Sequence, residues 1–300
     1  MKPTCVSMDM IPEACALDDI TCWAPFGSCA RLRVLRLDQL HPVVSGNKWF
    51  KLKHNLEAAL KAGKKTILTF GGGYSNHLVA AAFAAQQAGL ESIGIVRGHY
   101  EGAEITPSLK ACIDFGMHLV PFNKDEYSRF SGKGAVELYE KFPAAWIIPE
   151  GGANPEGALG ASEIAALIPS DVNQVCVAVG TGTTLIGLRF GLPESVQLRG
   201  FCAAKKCEIE SLAFFSNLSK PAPIMHSVHD PRFGKWKPEL LNFMRDFYQK
   251  TGIPLDVVYT GKMMMKLSEM LAAGFFTPES NIVVIHSGGL QGNPAGLFEA

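Results

Sequence analysis

Lys51 lies in the run Gly46-Asn47-Lys48-Trp49-Phe50-Lys51-Leu52-Lys53, an amine set among aromatic and aliphatic neighbours. Taking an ammonium out of water disfavours its charged form. A lysine in a partly apolar site therefore has a lowered pKa and condenses readily with an aldehyde. Lys51 is a candidate Schiff-base nucleophile on these grounds. Taken alone the run is weak, because a Lys-rich segment opening an amphipathic helix is most often a solvated face.

Four further stretches add chemistry. Gly71-Gly72-Gly73-Tyr74-Ser75-Asn76-His77 joins an expected strand to a helix. Its glycines let backbone approach a ligand, Ser75 or Asn76 can cap the helix, and the first-turn N–H groups face outward toward an anion. An ordinary capped strand-turn-helix is an equally good reading of that motif, and His77 by itself reads better as a packed or capping residue than as a base. Gly180-Thr181-Gly182-Thr183-Thr184 also follows a strand and opens a helix. Hydroxyls, N–H groups and the helix dipole converge there, which suits a phosphate dianion. With no Lys after the glycines and no third Gly, it is neither a nucleotide P-loop nor a dinucleotide fingerprint. A smaller phosphorylated cofactor fits better. Last come Val258-Tyr259-Thr260-Gly261-Lys262, where a ring could wall a flat ligand or simply pack, and His286-Ser287-Gly288-Gly289 at the end of a strand. The Ser287 hydroxyl could meet a heterocyclic nitrogen. A plain Gly turn is the alternative there.

Other arrangements carry little. His226 and His229 have no third ligand at matching spacing, so no metal is expected. No Gly-x-Ser-x-Gly elbow is present, and Met263-Met264-Met265 reads as helix core. The eight cysteines form no Cys-x-x-Cys pair, which points to reduced thiols.

These residues need a frame. Three hundred residues, 47% hydrophobic, can bury a sizeable core in one large or two smaller domains. Lys plus Arg and Asp plus Glu are 28 each, so no basic surface favours nucleic acid or an anionic membrane, and a small-molecule partner is expected. The N-terminal stretch lacks the pattern of a signal or transit peptide. The most apolar run, Leu78 to Ala85, falls far short of the roughly 18 to 20 residues of a membrane helix. A cytoplasmic, soluble protein is the expectation.

Strands are expected at 31–37, 66–70, 92–96, 118–122 and 145–148, with helices at 76–88, 108–115 and 135–142. A second series has strands at 175–179, 196–201 and 282–286 and helices at 183–190, 238–251 and 264–273. This alternation predicts an α/β protein with parallel sheets covered on both faces. The Gly- and Pro-rich loop from Pro149 to Gly157 is the expected boundary between two open-sheet units. The expected division is a small α/β domain over 44–154 and a large cofactor-binding domain over 1–43 and 155–300, with ligand in the cleft between them. The segment 205–237 has no clear pattern.

Together the motifs resemble the pyridoxal-phosphate enzymes of the tryptophan-synthase-like fold (fold type II). Within these they resemble the branch containing 1-aminocyclopropane-1-carboxylate deaminase and D-cysteine desulfhydrase. The match runs from about Leu37 to Gly292. The resemblance implies that the second Lys of Gly-Asn-Lys-x-x-Lys-Leu, Lys51, carries pyridoxal 5'-phosphate. It implies that Asn76 contacts the cofactor ring oxygen and that Gly180, Thr181, Gly182, Thr183 and Thr184 hold its phosphate. Ser287, in place of the branch's more usual Thr, keeps the hydroxyl that meets the pyridine nitrogen. The region of Ser75, Asn76 and His77 would bind the substrate carboxylate, with Ser75 also moving a proton, and Tyr259 and Thr260 would lie against cofactor and substrate. Ring-opening deaminases of the branch carry Glu after that tyrosine, where this chain has Thr260, as desulfhydrase-like members do. The segment from Ala203 to Lys237 looks shortened. The resemblance thus implies a homodimeric lyase acting on a small amino acid, with D-cysteine going to pyruvate, ammonia and sulfide. The alternatives are the cyclopropane deaminase, a D-serine or L-serine dehydratase or racemase, and a non-catalytic carrier or sensor of the cofactor.

Overall fold

The computed structural model describes residues 15–98, 105–131, 135–203, 220–230, 232 and 234–299. Within the segment from Ala203 to Lys237, residues 204–219, 231 and 233 lie outside the described residues, so the expected shortening there falls largely outside them. In chain order the elements are β1 (Leu17–Asp19), β2 (Arg31–Leu35), α1 (Lys48–Lys61), β3 (Thr66–Gly72), α2 (Asn76–Gln87), β4 (Glu91–Arg97), α3 (Pro107–Asp114), β5 (Met117–Phe122), α4 (Lys124–Ser131), α5 (Ala135–Lys141) and β6 (Ala145–Ile147). There follow α6 (Pro155–Ser162), β7 (Gln174–Val179), α7 (Thr183–Gly191), β8 (Gln197–Cys202), β9 (Ile224–Ser227), α8 (Pro238–Thr251), α9 (Thr260–Ala272) and β10 (Asn281–Ile285). The protein is α/β, as expected.

The described residues divide into two compact units, one of 41–44 and 48–160 and the other of 15–40, 45–47 and 161–299. In the first, four strands pair in the order β5-β4-β3-β6, all parallel. Alternate side chains of these strands feed two cores. Ile67, Val96 and Met117 pack with Leu56 of α1 and the alanines of α2, while Leu68, Phe70, Ile95 and Phe122 pack with Tyr127 and Leu138. Burial on both faces is what a parallel sheet with crossover helices requires. The small side chains of α2, Ala80 to Ala82 among them, are essentially inaccessible and let the helix sit close to its neighbours.

In the second unit six strands run β1-β2-β10-β7-β8-β9. All pairings are parallel except β1 on β2, which is antiparallel and caps one edge. Leu32, Val34, Cys176, Ile282 and Val284 pack with Leu240, Met244, Phe247, Met263 and Met264 of α8 and α9. The methionine run is core, as its pattern suggested, with Met265 only partly buried.

Every expected element except α9 ends within two residues of the structure. Four elements were not anticipated: β1 and β9, too short to show alternation, and α4 and α6. The loop read as a punctuating boundary instead forms a 3-10 turn at Glu150–Gly152 and the first turn of α6. Cys202 is disulfide-bonded, which corrects the expectation of eight reduced thiols.

Candidate active site

In the first unit Lys51 sits one turn into α1 and is 5% exposed. Its backbone is held by Asn55, whose Nδ2 donates to the Lys51 carbonyl over 2.8 Å. Asn55 is itself fixed, because its Oδ1 accepts from Trp146 Nε1 at 3.1 Å and from Asn154 Nδ2 at 2.7 Å. Gly152 closes over the lysine from the loop after β6: a Cβ there would lie 3.0 Å from Lys51 Cβ, and the residue has φ +69°. Burial first, and then the nearby Lys48 charge, hold the Lys51 amine well below its ordinary value. Among the described residues no carboxylate pairs with it. Burial and a cationic neighbour with no acid disfavour the charged form of such an amine, which suits a nucleophile better than an ion-pair partner.

The glycine turn after β3 leads into α2 with Ser75 as its cap, Oγ accepting from Leu78 N–H over 3.3 Å. Thr106, at the start of α3, donates its hydroxyl to the Gly73 carbonyl and ties the turn down. Asn76 Oδ1 is buried and has no partner among the described residues. His77 is 3% exposed, and burial, then Lys48 and Lys51, push its pKa down to about 3. The histidine therefore stays neutral beside the two lysines. Lys51 and His77 are thus brought together, with Ser75 and Asn76 adjoining them on α2.

In the second unit the loop Gly180–Thr184 joins β7 to α7, with Gly182 (φ +83°) as the helix cap. Thr181 Oγ1 and Thr183 Oγ1 lie 3.0 Å apart, and Thr184 Oγ1 accepts from Asn47 Nδ2 over 2.7 Å. The Tyr259 ring packs on this loop, since a Cβ on Gly180 would lie 3.0 Å from its Cε1 and 3.2 Å from its hydroxyl. Tyr259 caps α9, which begins four residues before the expected start. The reason is Asp256, whose carboxylate accepts from the N–H groups of Val258, Tyr259 and Thr260 at 2.7–2.9 Å. Thr260 is fully buried. Its hydroxyl donates to Asp256 Oδ1 over 2.7 Å and accepts from the Asp256 N–H over 2.8 Å, so its hydrogen bonds are spent inside the turn. Ser287 follows β10, is 8% exposed, and has no side-chain hydrogen bond among the described residues.

His226 and His229 are engaged otherwise: His226 packs on Phe201 and Phe275, and His229 pairs with Glu269. Sequence reasoning passed over Asn47, Asn55, Gly152 and Asp256. Only Asn47 and Asp256 carried a local hint, the first inside the lysine motif and the second three residues before Tyr259.

A buried unpaired amine, an orphaned amide oxygen on Asn76 and a hydroxyl-rich helix start are the donors and acceptors that a phosphorylated aldehyde with a ring hydroxyl needs. The residues fit pyridoxal phosphate. The chain belongs to the family of pyridoxal-phosphate dependent enzymes, whose model matches residues 28–288. A candidate 1-aminocyclopropane-1-carboxylate deaminase from Thermotoga maritima is 30% identical over 284 residues, covering 86% of this chain and 88% of its own. A D-cysteine desulfhydrase from Yersinia pestis is 26% identical over 94% of this chain and 93% of its own. Among solved structures, an ACC deaminase homologue superposes with a TM-score of 0.81 at 25% identity, covering 95% of this chain and 92% of that one. An O-acetylserine dependent cystathionine beta-synthase from Helicobacter pylori shares the fold, with a TM-score of 0.70 at 19% identity over 97% of each chain.

Proposed function

We propose that the chain catalyses α,β-elimination from a small amino acid, with D-cysteine as substrate and pyruvate, ammonia and sulfide as products. When bound, pyridoxal phosphate supplies an aldehyde that condenses with amines and a ring that withdraws the electron pair left at Cα. The protein supplies the rest. Lys51 Nζ, whose charged form burial disfavours, is the amine that would hold the aldehyde, and once released it takes the Cα proton. Ser75 keeps a hydroxyl proton to give to the substrate carboxylate, since its oxygen already serves the Leu78 N–H. Asn76 and the helix start beside it orient the cofactor ring and the carboxylate. The Gly180–Thr184 loop holds the phosphate, Tyr259 lies over that loop, and the Ser287 hydroxyl meets the ring nitrogen as a neutral partner.

The observation that favours elimination over ring opening is Thr260. No carboxylate follows Tyr259, and the Thr260 hydroxyl is committed to Asp256. Assay of the purified protein on D-cysteine, D-serine, L-serine and the cyclopropane amino acid tests the proposal. Sulfide and pyruvate should form from D-cysteine, with little or no ketobutyrate from the cyclopropane. Ketobutyrate at a rate comparable to pyruvate overturns the substrate assignment, and no turnover of any of the four would favour a carrier or sensor.

A further inference from the structure

Asn47 has a task that its place in the lysine motif does not explain. Its Nδ2 donates to Thr184 Oγ1 over 2.7 Å, with the two residues 6% and 4% exposed. An N–H occupying one lone pair of that oxygen leaves the hydroxyl proton to point elsewhere, and among the described residues no acceptor takes it. Thr184 stands in the first turn of α7, where unpaired backbone N–H groups and the helix dipole already favour an anion. A buried hydroxyl whose oxygen is pinned and whose proton is unspent is a donor waiting for an acceptor.

The pinning residue is itself fixed from behind. A Cβ on Gly46 would lie 1.9 Å from the Ser287 carbonyl oxygen, so only glycine lets the segment lie this close. The Asn47 N–H then reaches that same oxygen over 3.4 Å. The segment 45–47 is thereby anchored to the loop after β10 while its side chain serves the loop after β7.

We propose that Asn47 is a positioning residue for the cofactor phosphate: by donating to Thr184 it turns the Thr184 hydroxyl into a dedicated donor to the dianion. The inference rests on the reading of Gly180–Thr184 as the phosphate loop. Asn47→Asp is the discriminating change, because a carboxylate only accepts. The Thr184 proton would then turn back toward residue 47, and a negative charge would stand beside the phosphate.

The test compares dissociation constants of pyridoxal phosphate and of pyridoxal, which lacks the phosphate, on the full chain. The variants are Asn47→Asp, Asn47→Ala, Thr184→Val and the Asn47→Ala/Thr184→Val pair. A hydrogen bond to a charged group is worth about tenfold or more in affinity. The preference for the phosphorylated ligand should therefore fall by about that factor in Asn47→Asp and in Thr184→Val. Pyridoxal affinity should change less than about twofold, and the double variant should be no weaker than Thr184→Val alone, since the two residues act as one unit. An unchanged preference in both Asn47 variants, with a fall in Thr184→Val, overturns the role of Asn47 and leaves the phosphate loop standing. An unchanged preference in Thr184→Val overturns the phosphate loop as well. Equal weakening of both ligands in the Asn47 variants would make the residue merely structural and also overturns the proposal.

Discussion

The Thr69 hydroxyl lies 2.9 Å from His77 Nε2 and donates its own proton to the Ile148 carbonyl, also over 2.9 Å. The ring must therefore carry its hydrogen on Nε2, which leaves Nδ1 a buried acceptor with no partner among the described residues. With its pKa held to about 3 against an ordinary 6.5, the folded protein refuses a proton that the unfolded chain takes. Stability is full above pH 6.5 and is lost as pH falls from there toward 3. The slope from this group is up to about 1.4 kcal/mol per pH unit. Urea unfolding of wild type and His77→Gln at pH 7, 5.5 and 4 should show a shallower acid limb in the variant, and equal slopes would contradict the assignment.

Gly152 is the residue that lets the loop after β6 close on Lys51. At φ +69°, with a Cβ placed 3.0 Å from Lys51 Cβ, Gly152→Ala meets both backbone strain and a contact the lysine stem must yield to. A loss of about 1–3 kcal/mol is expected. The visible absorbance of the cofactor-loaded protein should also shift or weaken. Unfolding midpoints and spectra equal to wild type would show that the loop is slack.

Asp256 satisfies three N–H groups and the Thr260 hydroxyl at the start of α9. Its replacement by Ala should cost about 2 kcal/mol or more, as loss of a cap and of a buried acceptor does. It should also free Tyr259 from Gly180. Asp256→Asn, which keeps one acceptor, should lose less. Thermal unfolding checks the order, and Asp256→Ala unfolding no earlier than Asp256→Asn would contradict it.

Most of the frame was legible because period-2 and helical patterns are local. The burial of Lys51 was legible because Trp49, Phe50 and Leu52 beside it in the chain are buried too. The misreadings have physical causes. Asn154-Pro155-Glu156-Gly157 holds a proper helix start, a capping Asn whose Oδ1 accepts from Gly157 N–H at 2.9 Å and a Pro in the first turn, but its glycines and prolines read as punctuation. The start of α9 was placed late because Asp256 reaches forward four residues to cap it. The Thr260 hydroxyl bonds within its own turn, which nothing in the sequence announces. Asn47 and Gly152 act on partners 137 and about a hundred residues away, Thr184 and Lys51, and such pairings have no periodic signature.

Lys51, and not its neighbour Lys48, is the amine expected to carry the cofactor. Absorbance spectra after loading with pyridoxal phosphate and exhaustive dialysis test it on wild type, Lys51→Ala and Lys48→Ala. Wild type and Lys48→Ala should retain a band at the visible edge of the spectrum, and Lys51→Ala should lose it together with turnover. A band that persists in Lys51→Ala and vanishes in Lys48→Ala would contradict the assignment and move the chemistry to Lys48.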